Sequence, residues 1–163
     1  MEEEYKEYLE QAAEQKNEIE STFKRIKKKN PRNLDDVFHD LHEETFEKVD
    51  CLNCGNCCKT TSPIFRDVDI KRIAKKLKMP IASFEKNYLR KDEEEDWVLQ
   101  VSPCAFLNED NSCHIYDFRP QACREYPHTD RKKMSQILLL TQKNAEVCPA
   151  VAKISLEVVK KFT

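Results

Sequence analysis

Residues 51–58 read CLNCGNCC, which places four of the chain's eight cysteines and its only glycine in one short loop. Cys51, Cys54 and Cys57 repeat the C-x-x-C spacing twice in succession. Such a loop can point successive thiolates at one metal centre, with metal–sulfur bonds of about 2.3 Å for zinc. Buried structural cysteines are usually solitary, so this concentration predicts a metal site.

The remaining cysteines are spread downstream, at Cys104, Cys113, Cys123 and Cys148. Pro149 follows the last of them, so the chain contains a C-x2-C-x2-C run and a distant Cys-Pro, as bacterial ferredoxins do. Cys58 adjoins Cys57, and adjacent side chains seldom point at one centre. This favours a second set made of Cys58 and the first three downstream cysteines. A single four-cysteine site with the other thiols packed nearby is equally compatible with the sequence.

The identity of the metal is less constrained than its ligands. Sulfur ligation suits both zinc and iron-sulfur clusters. Two successive C-x-x-C steps in one loop favour a cluster, whereas structural zinc usually takes one C-x-x-C from each of two loops. We therefore expect an iron-sulfur cluster as the cofactor, with zinc as the alternative.

Two arginines flank one of the downstream cysteines. Arg119 and Arg124 lie on either side of Cys123, where they are predicted to contact the cofactor and offset the negative charge of the thiolates. The alternative is that both are ordinary surface charges. The histidines are less favoured as ligands because eight cysteines are available: His39, His42, His114 and His128.

The composition limits the class of protein. At 163 residues the chain is long enough for one domain with an added helical arm. Its 28 basic and 30 acidic residues give no electrostatic argument for nucleic acid or for a membrane. The N-terminal segment is acidic, whereas a signal peptide needs a basic start followed by an apolar stretch. The longest aliphatic run in the chain is ILLL at 137–140. We therefore expect a cytoplasmic protein, where thiols stay reduced and bind metals rather than form disulfides.

Helices are predicted on both sides of the cysteine loop. The apolar spacing predicts one long helix over residues 2–29 and a second helix over residues 34–49 that leads into the loop. The downstream segments are predicted as a helix from Asp67 or Asp69, a short helix IASFEKNYL, a β-type run WVLQV, a hairpin from AFLNEDNSCHIY, one helical turn in RPQACREYP, and a closing helix CPAVAKISLEVVKKF.

The predicted fold class is α+β, mainly α. It is a small irregular metal-stabilised domain with a short β-hairpin and an N-terminal helical extension. The predicted division is an N-terminal helical region at 1–49, a cysteine-cluster domain at 50–150, and a C-terminal helix at 151–163 that packs on the same domain.

The cysteines and the segments around them resemble a known family. CLNCGNCC, PCAFL, CHIYDFRPQACREYP and CP resemble the CxxCxxCC, or YkgJ-like, cysteine-cluster family over about residues 50–150. The family is described as zinc- or iron-chelating and is often labelled an iron-sulfur cluster protein. The resemblance implies that all eight cysteines are the metal ligands, with a second signature at Arg119, Pro120, Arg124, Tyr126 and Pro127.

The expected function is metal binding through an iron-sulfur cluster, for electron transfer or redox sensing. One alternative is a structural zinc module that mediates a protein interaction. Another is a metal-dependent modifying enzyme, although the chain has no glycine-rich motif for S-adenosylmethionine or a nucleotide. Catalytic residues, substrate and oligomeric state are left open by the sequence.

Overall fold

The computed structural model describes residues 1–163 and shows ten helices with one two-stranded antiparallel hairpin. This confirms the predicted class, α+β and mainly α. The chain divides into two compact units, residues 1–54 with 127–163, and residues 55–126. The three-part division made from the sequence stays a prediction. The structure contains no helix that is both long and apolar enough to cross a membrane.

The helices and strands are short and follow one another closely. In chain order they are α1 (Glu3–Glu14), α2 (Lys16–Lys29), α3 (Leu34–Phe46), α4 (Cys51–Cys54), α5 (Asn56–Thr60), α6 (Asp67–Lys76), α7 (Ile81–Tyr88), β1 (Leu89–Lys91), β2 (Trp97–Leu99), α8 (Gln121–Glu125), α9 (Leu138–Asn144) and α10 (Pro149–Phe162).

The first unit contains two N-terminal helices where the sequence predicted one. The helix is interrupted at Gln15, whose φ of −95° and ψ of 16° lie outside the helical region. The interruption falls in the polar stretch between the buried residues Ala12 and Ile19. Each helix keeps its own apolar face there, so the hydrophobic spacing alone cannot reveal the break.

Helix α10 lies at the centre of the first unit. It packs against α1, α2, α3 and α9, and most of its side chains are buried. Fully buried examples are Val151, Ile154 and Val158. Its polar residues Lys153, Glu157 and Lys160 lie on one narrow stripe, and the four neighbouring helices cover the wide apolar remainder of its surface. This explains why α10 holds the unit together.

One face of α3 holds the chain segment that follows residue 127. The Asp35 carboxylate accepts hydrogen bonds from the backbone N–H groups of Lys133 (2.7 Å) and Met134 (2.9 Å). His39 Nδ1 lies 2.8 Å from Asp130 Oδ1. One turn further along, His42 Nδ1 lies 2.9 Å from Thr129 Oγ1. Both histidines thus have local structural partners.

The second unit has its own apolar core and contains the hairpin. Residues of α6, α7 and the strands supply the core, including Ile73, Phe84 and Leu99. In the hairpin, β1 pairs with β2, and the charged residues 92–96 connect the two strands.

The hairpin predicted in AFLNEDNSCHIY is reduced to a single bridge between Leu107 and Cys113. A 3-10 turn over Tyr116–Phe118 begins almost at once. The prediction of two strands there was wrong because too few extended residues remain to form a ladder.

A buried carboxylate joins α6 to the segment that precedes α8. Asp69 is 0% exposed and accepts hydrogen bonds from Arg66 N (3.0 Å), Arg72 Nη2 (2.9 Å) and Gln121 N (3.2 Å). Arg72 Nη2 also donates to the Arg119 carbonyl at 2.8 Å. Burial by itself raises the pKa of Asp69, but the hydrogen bonds outweigh it and hold that pKa below its usual value. The carboxylate therefore fixes where α8 begins.

Replacing Asp69 by Ala should lower the free energy of unfolding by about 2–4 kcal/mol, because several buried donors lose their acceptor. The control is Asp67→Ala in the same helical turn, where the side chain is exposed; we expect a loss below about 1 kcal/mol. Urea denaturation followed by circular dichroism measures both. Equal losses of stability in Asp69→Ala and Asp67→Ala would contradict the role assigned to Asp69.

The same carboxylate gives a pH dependence with a definite sign. Because its folded-state pKa is lowered, its stabilising contribution is complete above its unfolded pKa. The contribution is lost as the pH falls through the lowered pKa. The difference in stability between wild type and Asp69→Ala should therefore shrink on acidification.

Candidate metal centre

Three cysteines of the first unit form one set. Cys51 and Cys54 are the first and last residues of α4, and Cys148 directly precedes α10. Cys54 belongs to an apolar cluster with Tyr5, Val49 and Ala150, and Cys148 packs against that cluster. The segment that carries Cys51 and Cys54 thus meets the segment that carries Cys148, although the two are far apart in the sequence.

The electrostatics of Cys148 show the same proximity. Burial is the main factor that raises its pKa to about 11, and the charges of Cys51 and Cys54 raise it further. The backbone N–H groups of Ala150 and Val151, in the first turn of α10, act in the opposite direction and favour the thiolate. The backbone N–H groups at the start of α10 therefore stabilise negative charge on the cysteine sulfur beside them.

Four cysteines of the second unit form another set, which the backbone assembles: Cys58, Cys104, Cys113 and Cys123. Cys104 N donates a hydrogen bond of 2.8 Å to the Cys58 carbonyl. Ser102 Oγ donates to the Lys59 carbonyl, also at 2.8 Å. The Leu107–Cys113 bridge then folds the chain back on itself.

The thiols of this second set lie close enough for their charges to raise one another's pKa values. Burial, followed by the charges of Cys58, Cys104 and Cys113, raises the pKa of Cys123 to about 12. Burial likewise raises the pKa values of Cys104 and Cys113, and Cys58 contributes to both. The structure therefore brings together the second set that the adjacency of Cys57 and Cys58 favoured.

Cys58 differs from its three neighbours. A hydrogen bond with the half-buried Cys57 lowers the pKa of Cys58 to about 7, although burial opposes this. The neighbouring thiol therefore favours the Cys58 thiolate near neutral pH.

The two arginines proposed to contact the cofactor are placed differently. Arg119 lies over the ring of Tyr116 at 3.9 Å and donates a 2.7 Å hydrogen bond to the Tyr116 carbonyl. Its charge lowers the pKa values of Cys113 and Cys123, against the larger effect of burial. Arg124 is exposed on α8. Arg119 is thus close enough to act electrostatically on two thiols of the second set, whereas contact with a cofactor stays a prediction for both arginines.

The only glycine is explained by its backbone and by a close neighbour. Gly55 has a φ of +62°, a left-handed conformation that side chains rarely adopt. A Cβ atom there would lie 2.8 Å from both Cγ and Oδ1 of Asn111. No local pattern in the sequence indicates that Asn111 packs against this glycine.

The donor set fits a thiolate-bound metal. None of the eight cysteines takes part in a disulfide bond. Seven are gathered in the two sets described, and Cys57 is hydrogen-bonded to a member of the second. Thiols gathered at this density suit zinc or iron-sulfur ligation.

Comparison with known proteins points to the same chemistry. A family model named CxxCxxCC, "Putative zinc- or iron-chelating domain", matches residues 50–149, which is more than half of the chain. No curated protein and no solved structure matches the chain.

Gly55→Ala should lower the free energy of unfolding by at least about 1–2 kcal/mol, the cost of a left-handed non-glycine residue. Contact with Asn111 adds to this cost and should reduce metal content. The double variant Gly55→Ala, Asn111→Gly removes the contact between the two side chains, and glycine at position 111 tolerates the positive φ of that residue. This variant should regain only the part of the stability that the contact with Asn111 had cost. Chemical denaturation and metal analysis measure both effects; a Gly55→Ala protein as stable as wild type would refute the interpretation.

In metal-free protein, iodoacetamide should label Cys58 well before Cys123. The reactive form is the thiolate, and the two pKa values are about 7 and about 12. Labelling of Cys58 should therefore rise between about pH 6 and pH 8, while Cys123 stays largely unlabelled. Peptide mass spectrometry measures the rates, and the denatured protein serves as the control in which the difference disappears. Faster labelling of Cys123 would contradict the assignment.

Proposed function

The chain belongs to the CxxCxxCC family, and we propose that its cysteines hold a metal cofactor in two sets that serve electron transfer or redox sensing. The match to the zinc- or iron-chelating domain supports metal binding. The observation that carries the proposal is the mutual influence of the four thiols in the second unit. Four thiols from separate segments of the chain lie close enough to influence one another, and this arrangement favours a shared ligand.

The second set is proposed as a four-thiolate site formed by Cys58, Cys104, Cys113 and Cys123. Four sulfurs complete the coordination of a zinc ion or of an iron-sulfur cluster. Arg119 offsets part of the resulting negative charge, as its effect on Cys113 and Cys123 indicates. Arg124 is proposed to act at longer range from α8.

The first set is proposed to include Cys51, Cys54 and Cys148. The N–H groups of Ala150 and Val151 would stabilise the Cys148 thiolate, and hydrogen bonds near cluster sulfurs are one means of setting a reduction potential. Cys57 is proposed as a metal ligand on its C-x-x-C spacing alone and is assigned to neither set.

The proposed cofactor is an iron-sulfur cluster, supported by the two successive C-x-x-C steps of residues 51–57. When bound, it would supply one-electron chemistry. The structure offers a further argument against a purely structural metal. The second unit has an apolar core that includes Phe65, Phe84 and Ile115, so it does not need a metal in place of one.

Structural zinc with a protein partner is the second candidate. The segment between β2 and α8 has no long regular element, and Cys104 and Cys113 pack against the core next to it. A zinc ion bound there would hold this irregular segment in one conformation. A metal-dependent modifying activity and a cytoplasmic setting also stay predictions.

The deciding experiment is metal and sulfide analysis with an absorbance spectrum on protein purified without oxygen. Iron, sulfide and a broad band near about 400 nm support the proposed cluster. A colourless protein that carries zinc supports the second candidate instead.

Cysteine variants test the two sets separately. Cys54→Ser and Cys123→Ser should each lose the metal of one set and keep that of the other. The control is His39→Ala, because His39 pairs with Asp130 rather than with a thiol. This variant should keep the metal of both sets. Full metal stoichiometry in both serine variants would remove the central claim.

A further inference from the structure

We propose that Tyr5, in helix α1, is a positioning residue for the first cysteine set. The inference rests on the proposed function, because it concerns the metal held by that set. Tyr5 lies outside residues 50–149, which the family model matches. The N-terminal helix would thus be part of the metal centre rather than an appendage to it.

The Tyr5 hydroxyl fixes the backbone immediately before the cysteine loop. It donates a 3.3 Å hydrogen bond to the Lys48 carbonyl and accepts a 2.9 Å hydrogen bond from Asp50 N. The two bonds lie on either side of Val49, in the short connection between α3 and α4. Cys51 follows directly, so the position of α4 depends on this connection.

The Tyr5 ring occupies the place where the two thiol-bearing segments meet. The side chain is 1% exposed and shares an apolar cluster with Val49, Cys54 and Ala150. Cys148 packs against the same cluster. Helix α1 also packs along α10, which begins immediately after Cys148. The ring therefore supports both segments at once.

Loss of the hydroxyl alone should loosen the loop without disrupting the fold. In Tyr5→Phe the ring stays and the packing of α1 on α10 is kept, but Asp50 N–H and Lys48 C=O lose a buried partner. The connection before Cys51 then has more conformational freedom in the metal-free state. Residues that orient metal ligands typically change metal affinity by about 10–100-fold when mutated.

Tyr8 offers a matched control on the same helix. Its ring packs against the same apolar cluster as Tyr5, whereas its hydroxyl bonds to Glu4, an exposed residue of α1 itself. Tyr8→Phe therefore removes a hydroxyl from the same helix without touching the connection to the cysteine loop.

The test is release of the metal from the purified, metal-loaded full-length chain into excess chelator, with bathophenanthroline for iron or pyridylazoresorcinol for zinc. The phases are assigned to the two sets with Cys148→Ser and Cys123→Ser. In Tyr5→Phe we expect the first-set phase to be faster by about tenfold. The second-set phase should change by less than about twofold, and Tyr8→Phe should leave both phases near wild type. Circular dichroism confirms that each variant is folded.

The outcomes separate this inference from the proposed function. Metal-loaded wild type with equal release from Tyr5→Phe and Tyr8→Phe overturns the positioning role alone. Equal acceleration of both phases in Tyr5→Phe also overturns it, because that result indicates a general loss of stability. A wild-type protein that holds no metal in either set overturns the proposed function itself.

Discussion

Converging thiolates repel one another, and this electrostatic cost is the constraint on which the rest of the cysteine site depends. The pKa of Cys123 rises to about 12 because burial and three neighbouring cysteines all disfavour its charged form. A cation bound by the thiolates removes that penalty. The protein supplies smaller compensation of its own through Arg119 in one set and the N–H groups at the start of α10 in the other.

Because the thiols do not attract one another, the scaffold must bring them together by other contacts. In the second unit these contacts are polar: the Cys104–Cys58 backbone hydrogen bond, and Asp69 with Arg72, which hold residues 119–121. In the first unit, packing of α1 on α10 brings Cys148 towards Cys54. The path of the chain also explains the order of the cysteines. The chain leaves the first unit after Cys54 and returns at Pro127, so Cys148 groups with the earliest cysteines.

Much of this arrangement was accessible from the sequence, because spacing and residue type carry the information. The adjacency of Cys57 and Cys58 favoured grouping Cys58 with three distant cysteines, although a single four-cysteine site was equally compatible with the sequence. Other features depend on contacts between residues far apart in the chain and leave no local pattern. Asp69 was identified only as a possible helix start, although its carboxylate also binds Gln121 N. The hairpin was placed in the wrong segment because both segments have short β-type runs, and the tertiary contacts decide between them.

The two units differ from small zinc-dependent domains in a way that bears on function. Each contains a substantial apolar cluster built mainly from residues other than cysteine, such as Phe23 and Phe38 in the first unit and Ile73 and Phe84 in the second. Much of the folding free energy can therefore come from apolar burial instead of from the metal. A site formed by an already folded scaffold keeps its ligands in place when the charge of the cofactor changes. That property supports the proposed redox centre over a metal ion that only holds a loop in place.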